Sequence, residues 1–525
     1  MPEPARRPAW WLALLIAALV PLLMAGATHA AQGADPRFGV VEAHDAPEDA
    51  AELGAGWSRA RFHWGLIQPD GPDQWIDAEL TEAQLAGEQR AGREVVGLLI
   101  GVPEWAADDS GLPRGLDLPP EDDGNLWANF VREVVSRYAG RIDHWIVWNE
   151  PDVWDPTHPA FTWPGTLEDY VQLLKTTYLV ARETNPDAVI HLAAMSHWWD
   201  VEHGRDLTFL ALLDAIVAEP EAAEHNYYYD VATLNLYFNP ATVYEVLEMY
   251  QGFQSERGLD KPFWLVETNA APSSDPAWPV SDITFRVSLL EQAAYMPQAL
   301  ALALAAGAER VAIYKLVDTP GDITANPEPF GLVREDGSHR PAFTTARVAM
   351  RALADAGVVT WSERGEVSQV VTGGPGKVTR ILWNRVPEAQ IARIPALASS
   401  AVMMDMWGNE TPLVPENGEY TVPLYAGECQ ETVGDYCMIG GPPVYVIERV
   451  GEGAAGPDGD LPGIVSVEPL PSNENVLVAS DNGVGRRSPA WWLGLIAIVI
   501  VVAIFEFRFR RRLLRRLREE RDGDR

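Results

Sequence analysis

Cysteine is nearly absent from this sequence of 525 residues, which contains only Cys429 and Cys437. Two cysteines are too few for a structural zinc site without further ligands, and the ten histidines show no metal-ligand spacing. We therefore predict no metal and no cofactor. The two cysteines lie close together in the chain, so a local disulfide is expected if this segment is exported.

Positive charge is scarce as well, with 40 Lys and Arg against 75 Asp and Glu and a formal net charge of −35. A nucleic acid is excluded as a general partner, because its phosphate backbone attracts a basic surface. We interpret the acidic excess as a solvated surface and infer no obligate protein partner.

Two familiar catalytic signatures are missing. The sequence contains no Gly-x-Ser-x-Gly elbow and no glycine-rich phosphate loop. The residues after the first predicted strand, Glu42–Asp45, do not resemble the loop that a doubly wound open sheet places there. This disfavours the main rival fold.

Long apolar runs occur only near the two ends of the chain. Residues 10–27 follow Arg6 and Arg7, which is typical of a signal peptide (1–31), with a retained N-terminal anchor as the alternative. Residues 490–505 precede an arginine-rich stretch, which predicts a transmembrane helix (489–509) and a basic cytoplasmic tail (510–525). We therefore predict a single-pass protein of the cell membrane whose main part is extracytoplasmic.

Between these ends, strand-like runs alternate with helical patterns eight times. This alternation predicts the α/β class and a (β/α)8 TIM barrel over residues 36–355. Short strands separated by Gly, Pro and Asn predict an all-β sandwich over 357–450, and a Gly-, Pro- and Asp-rich stretch predicts a flexible linker over 451–488. The eight predicted barrel strands are Phe38–Glu42, Trp57–Phe62, Glu94–Ile100, Ile142–Trp148, Val189–Ala194, Val231–Leu236, Phe263–Val266 and Arg310–Lys315.

Two of these strands lead into glutamates. Trp-Asn-Glu-Pro at Trp148–Pro151 follows strand four, and Trp-Leu-Val-Glu-Thr-Asn at Trp264–Asn269 ends strand seven. Because the active site of a (β/α)8 barrel forms at the C-terminal ends of its strands, Glu150 and Glu267 should meet there. Cleavage of a glycosidic bond needs such a pair, one carboxyl group to protonate the leaving oxygen and one to attack or stabilise the sugar carbon.

These motifs resemble those of the clan A glycoside hydrolases, which are retaining (β/α)8 enzymes. Trp-Asn-Glu-Pro together with Arg61-Phe62-His63 is most similar to glycoside hydrolase family 39. The resemblance implies that Glu150 is the acid/base and Glu267 the nucleophile. Burial near a second carboxylate should raise the pKa of Glu150 and keep it protonated.

The same resemblance implies roles for neighbouring residues. Asn149 would contact the 2-hydroxyl of the sugar, and Tyr237 would donate a hydrogen bond to the nucleophile. Asn235 stands where clan members often have histidine, so its part in the polar network departs from the pattern. Lys315 stands near the usual position of a tryptophan. It could bind a carboxylated sugar or pair with an acidic neighbour.

Strand two carries three polar residues on one face, namely Arg59, Arg61 and His63, because side chains alternate along a strand. An arginine inside a barrel needs a carboxylate partner. By the match to Arg-Phe-His we predict that Arg61 lies near Glu267, with Arg59 as the second choice. A structural charge network at the bottom of the barrel is the alternative.

Tryptophans on or just past the predicted strand ends, including Trp105 and Trp198, could stack on pyranose rings, although plain packing is an equal alternative. The sequence thus predicts a membrane-tethered retaining hydrolase that cleaves β-glycosidic bonds in an oligo- or polysaccharide. Its two carboxyl groups should be about 5–5.5 Å apart. A transglycosylase using the same residues and a non-catalytic glycan-binding protein are the alternatives.

Overall fold

The computed structural model describes residues 34–281, 283–322, 328–451 and 463–470. The predicted signal peptide (1–31), transmembrane helix (489–509) and basic tail (510–525) lie outside these residues, as does most of the predicted linker. Within the described ranges, no helix has the length and apolar character needed to cross a membrane.

Eight parallel strands form a closed barrel, as predicted. Their order in the sheet is β5-β4-β3-β2-β1-β8-β7-β6, and parallel bridges such as His191 to Val231 join the two remaining edges. The strands are β1 (Phe38–Val41), β2 (Trp57–His63), β3 (Glu94–Ile100), β4 (His144–Val147), β5 (Val189–His191), β6 (Ala232–Tyr237), β7 (Phe263–Asn269) and β8 (Arg310–Ile313).

Helices lie between the strands and bury one apolar face, as Leu126–Tyr138 does with residues at three- and four-residue spacing. Capping boxes begin several of them, for example Thr166 with Asp169. The helices are α1 (Pro47–Leu53), α2 (Trp64–Ile67), α3 (Glu82–Arg90), α4 (Leu126–Tyr138), α5 (Leu167–Thr184), α6 (Trp198–Glu202), α7 (Thr208–Ala218), α8 (Pro240–Glu256), α9 (Leu289–Ala305) and α10 (Pro341–Leu353).

Large rings fill the lower part of the barrel interior. The rings of Trp57 and Trp264 lie 5.4 Å apart, and Trp264 also packs against His191 at 4.6 Å. Gly39 on β1 makes room for this layer, because a Cβ atom there would stand 2.3 Å from the indole of Trp57. Trp57 and Trp264 therefore both point inward.

The β domain is a sandwich, as predicted, and it contains one strand beyond the predicted boundary at residue 450. Its six-stranded sheet has the order β14-β13-β18-β11-β10-β9, and its three-stranded sheet has the order β15-β12-β19. The strands are β9 (Val359–Arg364), β10 (Val367–Gly374), β11 (Lys377–Asn384), β12 (Gln390–Pro395), β13 (Ala401–Asp405), β14 (Glu410–Leu413), β15 (Glu419–Leu424), β16 (Thr432–Val433), β17 (Tyr436–Cys437), β18 (Val444–Arg449) and β19 (Ser466–Pro469).

The six-stranded sheet carries apolar side chains on both of its faces. Along β18, Val444 and Val446 pack into the sandwich core, whereas Tyr445 belongs to the core cluster of the barrel. The same alternation separates Leu382 from Ile381 on β11. The sheet thus packs against the three-stranded sheet on one face and against the barrel on the other.

Two predictions for this domain are decided by the structure. The disulfide between Cys429 and Cys437 is present, as expected. The boundary at residue 450 is too early, because Ser466–Pro469 within the predicted linker pairs with β12 as an edge strand. Gly- and Pro-rich composition nearby obscured this short strand, whose pairing partner lies more than seventy residues earlier in the chain.

Candidate active site

A cavity of about 910 Å³ opens at the C-terminal ends of the barrel strands. Its wall brings together side chains from strands that are far apart in sequence. Among the predicted site residues, those that line it are Arg59, Arg61, Asn149, Glu150, Tyr237, Glu267 and Lys315.

Glu150 is held in place by the backbone that leaves β4. Trp148 and Glu150 both adopt positive φ angles, 75° and 46°, which are uncommon for residues with a side chain. The Glu150 N–H donates to the Ala194 carbonyl at 2.9 Å, and Thr162 Oγ1 donates to the Asn149 carbonyl at 2.9 Å. These contacts stabilise a strained turn that directs the carboxyl group into the cavity.

The surroundings of Glu150 favour its protonated form. Burial and the nearby charge of Glu267 raise the pKa of Glu150 to about 8. Asn235 Nδ2 donates to Glu150 Oε1 at 2.7 Å, which works in the opposite direction but does not outweigh burial. At neutral pH this carboxyl group holds a proton that it can donate.

Glu267 reaches the cavity because β7 is irregular. Leu234 pairs with Leu265 but the next residue, Asn235, pairs with Glu267, so the register shifts by one residue at this point. Trp264 points inward, and a regular strand would turn a residue three positions later outward. The bulge restores the inward direction for Glu267.

Both carboxylate oxygens of Glu267 have a partner. Arg59 Nη2 pairs with Oε1, and the Tyr237 hydroxyl donates to Oε2. Burial and the charge of Glu267 raise the pKa of Tyr237 well above its ordinary value, so its hydroxyl keeps the proton that it donates. The predicted contact of Tyr237 is therefore present, and Arg59 and Tyr237 together hold the two oxygens of Glu267 in place.

The structure corrects the choice between the two arginines. Through β8 and β1, the strand register places Thr268 level with Ser58. Arg59 lies one residue beyond that level, beside the buried glutamate. Arg61 lies three residues beyond it, at the rim, where its side chain is 52% exposed and pairs with Glu79. Both arginines share a face, but only one is at the right depth.

Solved structures share this architecture. A family 39 glycoside hydrolase from the gut symbiont Bacteroides cellulosilyticus has a TM-score of 0.57 and 17% identity, and the match covers 79% of this chain and 81% of that one. A family 30 endoxylanase from Clostridium papyrosolvens has a TM-score of 0.50 and 12% identity, covering 79% and 97%. The fold is that of the clan A glycoside hydrolases.

Sequence relatives are more distant. No protein-family profile matches the chain. The galactolipid galactosyltransferase SFR2 of Arabidopsis thaliana is 26% identical over 183 residues, which are 34% of this chain and 26% of that protein. The β-glucosidase-like SFR2 of Oryza sativa is 26% identical over 171 residues, 31% of this chain and 24% of that protein. The chain spans about a quarter of the length of the curated relatives it matches.

The two asparagines of the predicted site lie together. Asn235 Nδ2 contacts Asn149 Oδ1 at 3.3 Å in addition to its bond with Glu150. Asn235 itself is buried, so it supports the acid/base candidate from below, while Asn149 lines the cavity. A contact of Asn149 with a sugar 2-hydroxyl stays a prediction.

Lys315 lines the cavity but is already paired. Its Nζ lies 2.8 Å from Glu42 Oε2 and 2.9 Å from Asp322 Oδ1. Two carboxylates around one ammonium group leave no excess positive charge for a carboxylated sugar. This favours the reading of Lys315 as a structural ion-pair partner.

Four predicted site residues are not part of the described cavity wall, namely Asn235, His63, Trp105 and Trp198. The His63 N–H donates to Glu79 Oε2 at 3.3 Å, and a Cβ at Gly101 would stand 2.4 Å from the His63 ring. Trp105 Nε1 donates to the Gln68 carbonyl at 2.7 Å, and its ring meets Trp64 edge-on. These contacts show packing roles for His63 and Trp105.

Sequence reasoning missed several residues of the cavity wall, including Glu42, Glu79, Tyr314 and Phe330. Glu42 directly follows β1 and Tyr314 directly follows β8. The rule that strand C-termini face the site points to both, because Glu42 ends the predicted first strand and Tyr314 adjoins the predicted Lys315 at the end of the eighth. Glu79 and Phe330 lie in long loops whose paths no local pattern reveals.

Proposed function

We propose that this protein is a retaining glycoside hydrolase that cleaves β-glycosidic bonds in an oligo- or polysaccharide. The observation that carries the proposal is the unequal environment of two carboxyl groups in one cavity. Glu150 is partly buried with its pKa raised to about 8, and Glu267 is paired with a guanidinium and a hydroxyl. One is suited to donate a proton and the other to attack.

The reaction would take place in two steps. In the first, a Glu267 oxygen bonds to the anomeric carbon as the bond to the leaving oxygen breaks, and Glu150 gives its proton to that oxygen. In the second, Glu150 removes a proton from water, whose oxygen displaces Glu267 and restores both side chains. Arg59 and Tyr237 would stabilise Glu267 before attack and again as it leaves.

Replacement of each glutamate tests the two roles. Glu267→Ala should abolish hydrolysis, and azide should rescue it by forming a glycosyl azide of inverted configuration. Glu150→Ala should lower kcat by about 10²–10⁴-fold on substrates with poor leaving groups, and azide should give a product of retained configuration. Full activity in Glu267→Ala would exclude the proposal.

The location of the enzyme belongs to the same proposal. An arginine-flanked apolar run near the C-terminus and a hydrophobic N-terminal run support a membrane-tethered, extracytoplasmic protein. The Cys429–Cys437 disulfide supports an oxidising compartment. Protease protection of the tail, but not of the barrel, in intact cells is the expected result. Degradation of the tail with retention of the barrel would exclude this orientation.

A second candidate function is transglycosylation. It is favoured by the sequence similarity to a protein named galactolipid galactosyltransferase SFR2. The same covalent glycosyl-enzyme would form, and a sugar hydroxyl instead of water would then displace Glu267. Product analysis with added acceptor sugars distinguishes the two, because new glycosides should exceed free sugar only if transfer dominates.

A further inference from the structure

An aromatic cluster lies on the loop that follows β4 and on the short helix α6, with its C-terminal cap, that follows β5. We call it the rim patch, and it consists of Trp154, His158, Trp199 and His203. The ring centroids of Trp199 and His203 are 4.3 Å apart, those of Trp154 and His203 are 5.4 Å apart, and those of His158 and Trp199 are 4.6 Å apart. These contacts hold the rings in fixed relative orientations.

The rim patch is continuous with the cavity. His158 lines the cavity wall, as do Pro159, Ala160 and Thr162 from the same loop. Through His158 the patch joins the cavity, and Thr162 of the same loop donates to the carbonyl of Asn149, the residue before Glu150.

The patch is more exposed than packing requires. Trp154 keeps 44% of its surface exposed, and Arg205 stacks over its ring at 5.2 Å. An indole outside the core loses the benefit of burial, so such a residue is often kept for binding. Indole faces stack on the apolar faces of pyranose rings, and a neighbouring guanidinium can donate hydrogen bonds to hydroxyl groups.

The position of the patch indicates which part of a substrate it would meet. Glu150 is the group suited to protonate the leaving oxygen, so the leaving group lies on its side of the scissile bond. Trp154 follows Glu150 by four positions on the same loop. We propose that the rim patch binds the sugar units on the leaving-group side of the substrate. This inference rests on the proposed function.

The test compares long and short substrates in the full chain. Trp154→Ala should raise KM for the cleaved member of a panel of cellotetraose, xylotetraose and laminaritetraose by up to about tenfold. Its kcat/KM on aryl β-glycosides, whose leaving group is too short to extend across the patch, should stay within about twofold. Trp154→Phe should recover most of the loss. Trp75→Ala is the matched control, because Arg137 likewise stacks over Trp75, at 3.9 Å, outside the described cavity wall.

Binding separates this inference from the proposed function. Calorimetry with the same tetrasaccharides needs no turnover, so it tests the patch even if the chain hydrolyses nothing. Equal affinity of the parent chain and Trp154→Ala for a bound tetrasaccharide, or no binding of any of the three, overturns the inference. So does a loss confined to binding of phosphatidylcholine vesicles containing a galactolipid, which would assign the patch to a lipid surface.

Discussion

At the scale of single residues, two identical side chains acquire opposite chemistry from what surrounds them. Glu150 is partly buried and receives one amide hydrogen bond. Glu267, which is buried, has a guanidinium on one oxygen and a phenolic hydroxyl on the other. Burial without a cation raises the pKa of a carboxyl group, whereas a paired cation favours the carboxylate.

The pH dependence of activity should follow the protonation of Glu150. Since its pKa is raised to about 8 and the protonated form donates to the leaving oxygen, kcat/KM should fall as the pH rises through about 8. Initial rates across pH 5–10 measure this fall in kcat/KM. Glu150→Ala should be assayed with an activated aryl glycoside, whose leaving group needs no acid. The fall above pH 8 should then disappear, and its persistence would contradict the assignment of Glu150 as the acid.

The two arginines of β2 should respond very differently to replacement. Arg59→Ala leaves a buried carboxylate without its cation and should lower the free energy of unfolding by about 3–5 kcal/mol. Arg61→Ala removes a half-exposed pair with Glu79 and should cost about 0–1 kcal/mol. Denaturant titration of both variants provides the comparison. Similar losses would show that the two arginines are not at different depths.

At the scale of elements, a hairpin of the β domain contacts a loop of the barrel. The Gln430 N–H donates to Glu291 Oε1 at 2.9 Å at the start of α9, and the Arg286 N–H donates to Glu431 Oε1 at 3.2 Å. Ser288 also donates to Glu428. This loop carries Ile283 and Thr284, which line the cavity, so the hairpin supports one wall of the candidate site.

The disulfide should stabilise that hairpin measurably. Replacing both Cys429 and Cys437 with serine removes a short covalent loop and should lower the free energy of unfolding by about 2–3 kcal/mol. Thermal denaturation followed by circular dichroism measures the change. Reductant should lower the midpoint of the parent chain and leave that of the double variant unchanged. A parent midpoint that is insensitive to reductant would contradict the prediction.

At the scale of the whole molecule, the barrel and the sandwich share a core. Trp361 packs against Tyr244 of α8 at 4.5 Å, and Gln298 of α9 donates to the Gly440 and Gly441 carbonyls at 3.0 Å and 3.2 Å. One face of the six-stranded sheet therefore packs against helices of the barrel.

The sandwich should extend at least to Pro469. A chain from 34 to 450 lacks β19 and the buried Ile464, and the lost burial of that side chain alone costs about 1.5–3 kcal/mol. A chain from 34 to 470 should therefore unfold at a higher temperature and expose less hydrophobic surface to a fluorescent dye. Equal midpoints for the two chains would show that β19 adds no stability.

The sequence by itself determined the type and order of the secondary-structure elements along the chain. Eight alternating strand and helix patterns, and glutamates at the ends of strands four and seven, are local signals, because each depends on residue spacing within one element. Rules for strand ends then placed Glu150, Glu267 and Tyr237 at one opening. The disulfide was equally local, since its cysteines are close in the chain.

Only the tertiary structure decided which arginine lies at the depth of Glu267, in which direction Glu267 points and whether Glu150 is protonated. Whether Arg59 or Arg61 meets Glu267 depends on the register between β7, β8, β1 and β2, which are far apart in sequence. Glu267 points inward because of a bulge that no composition signals. The proton on Glu150 depends on burial by residues from several strands. These properties arise from contacts between distant segments, and for that reason local sequence patterns do not contain them.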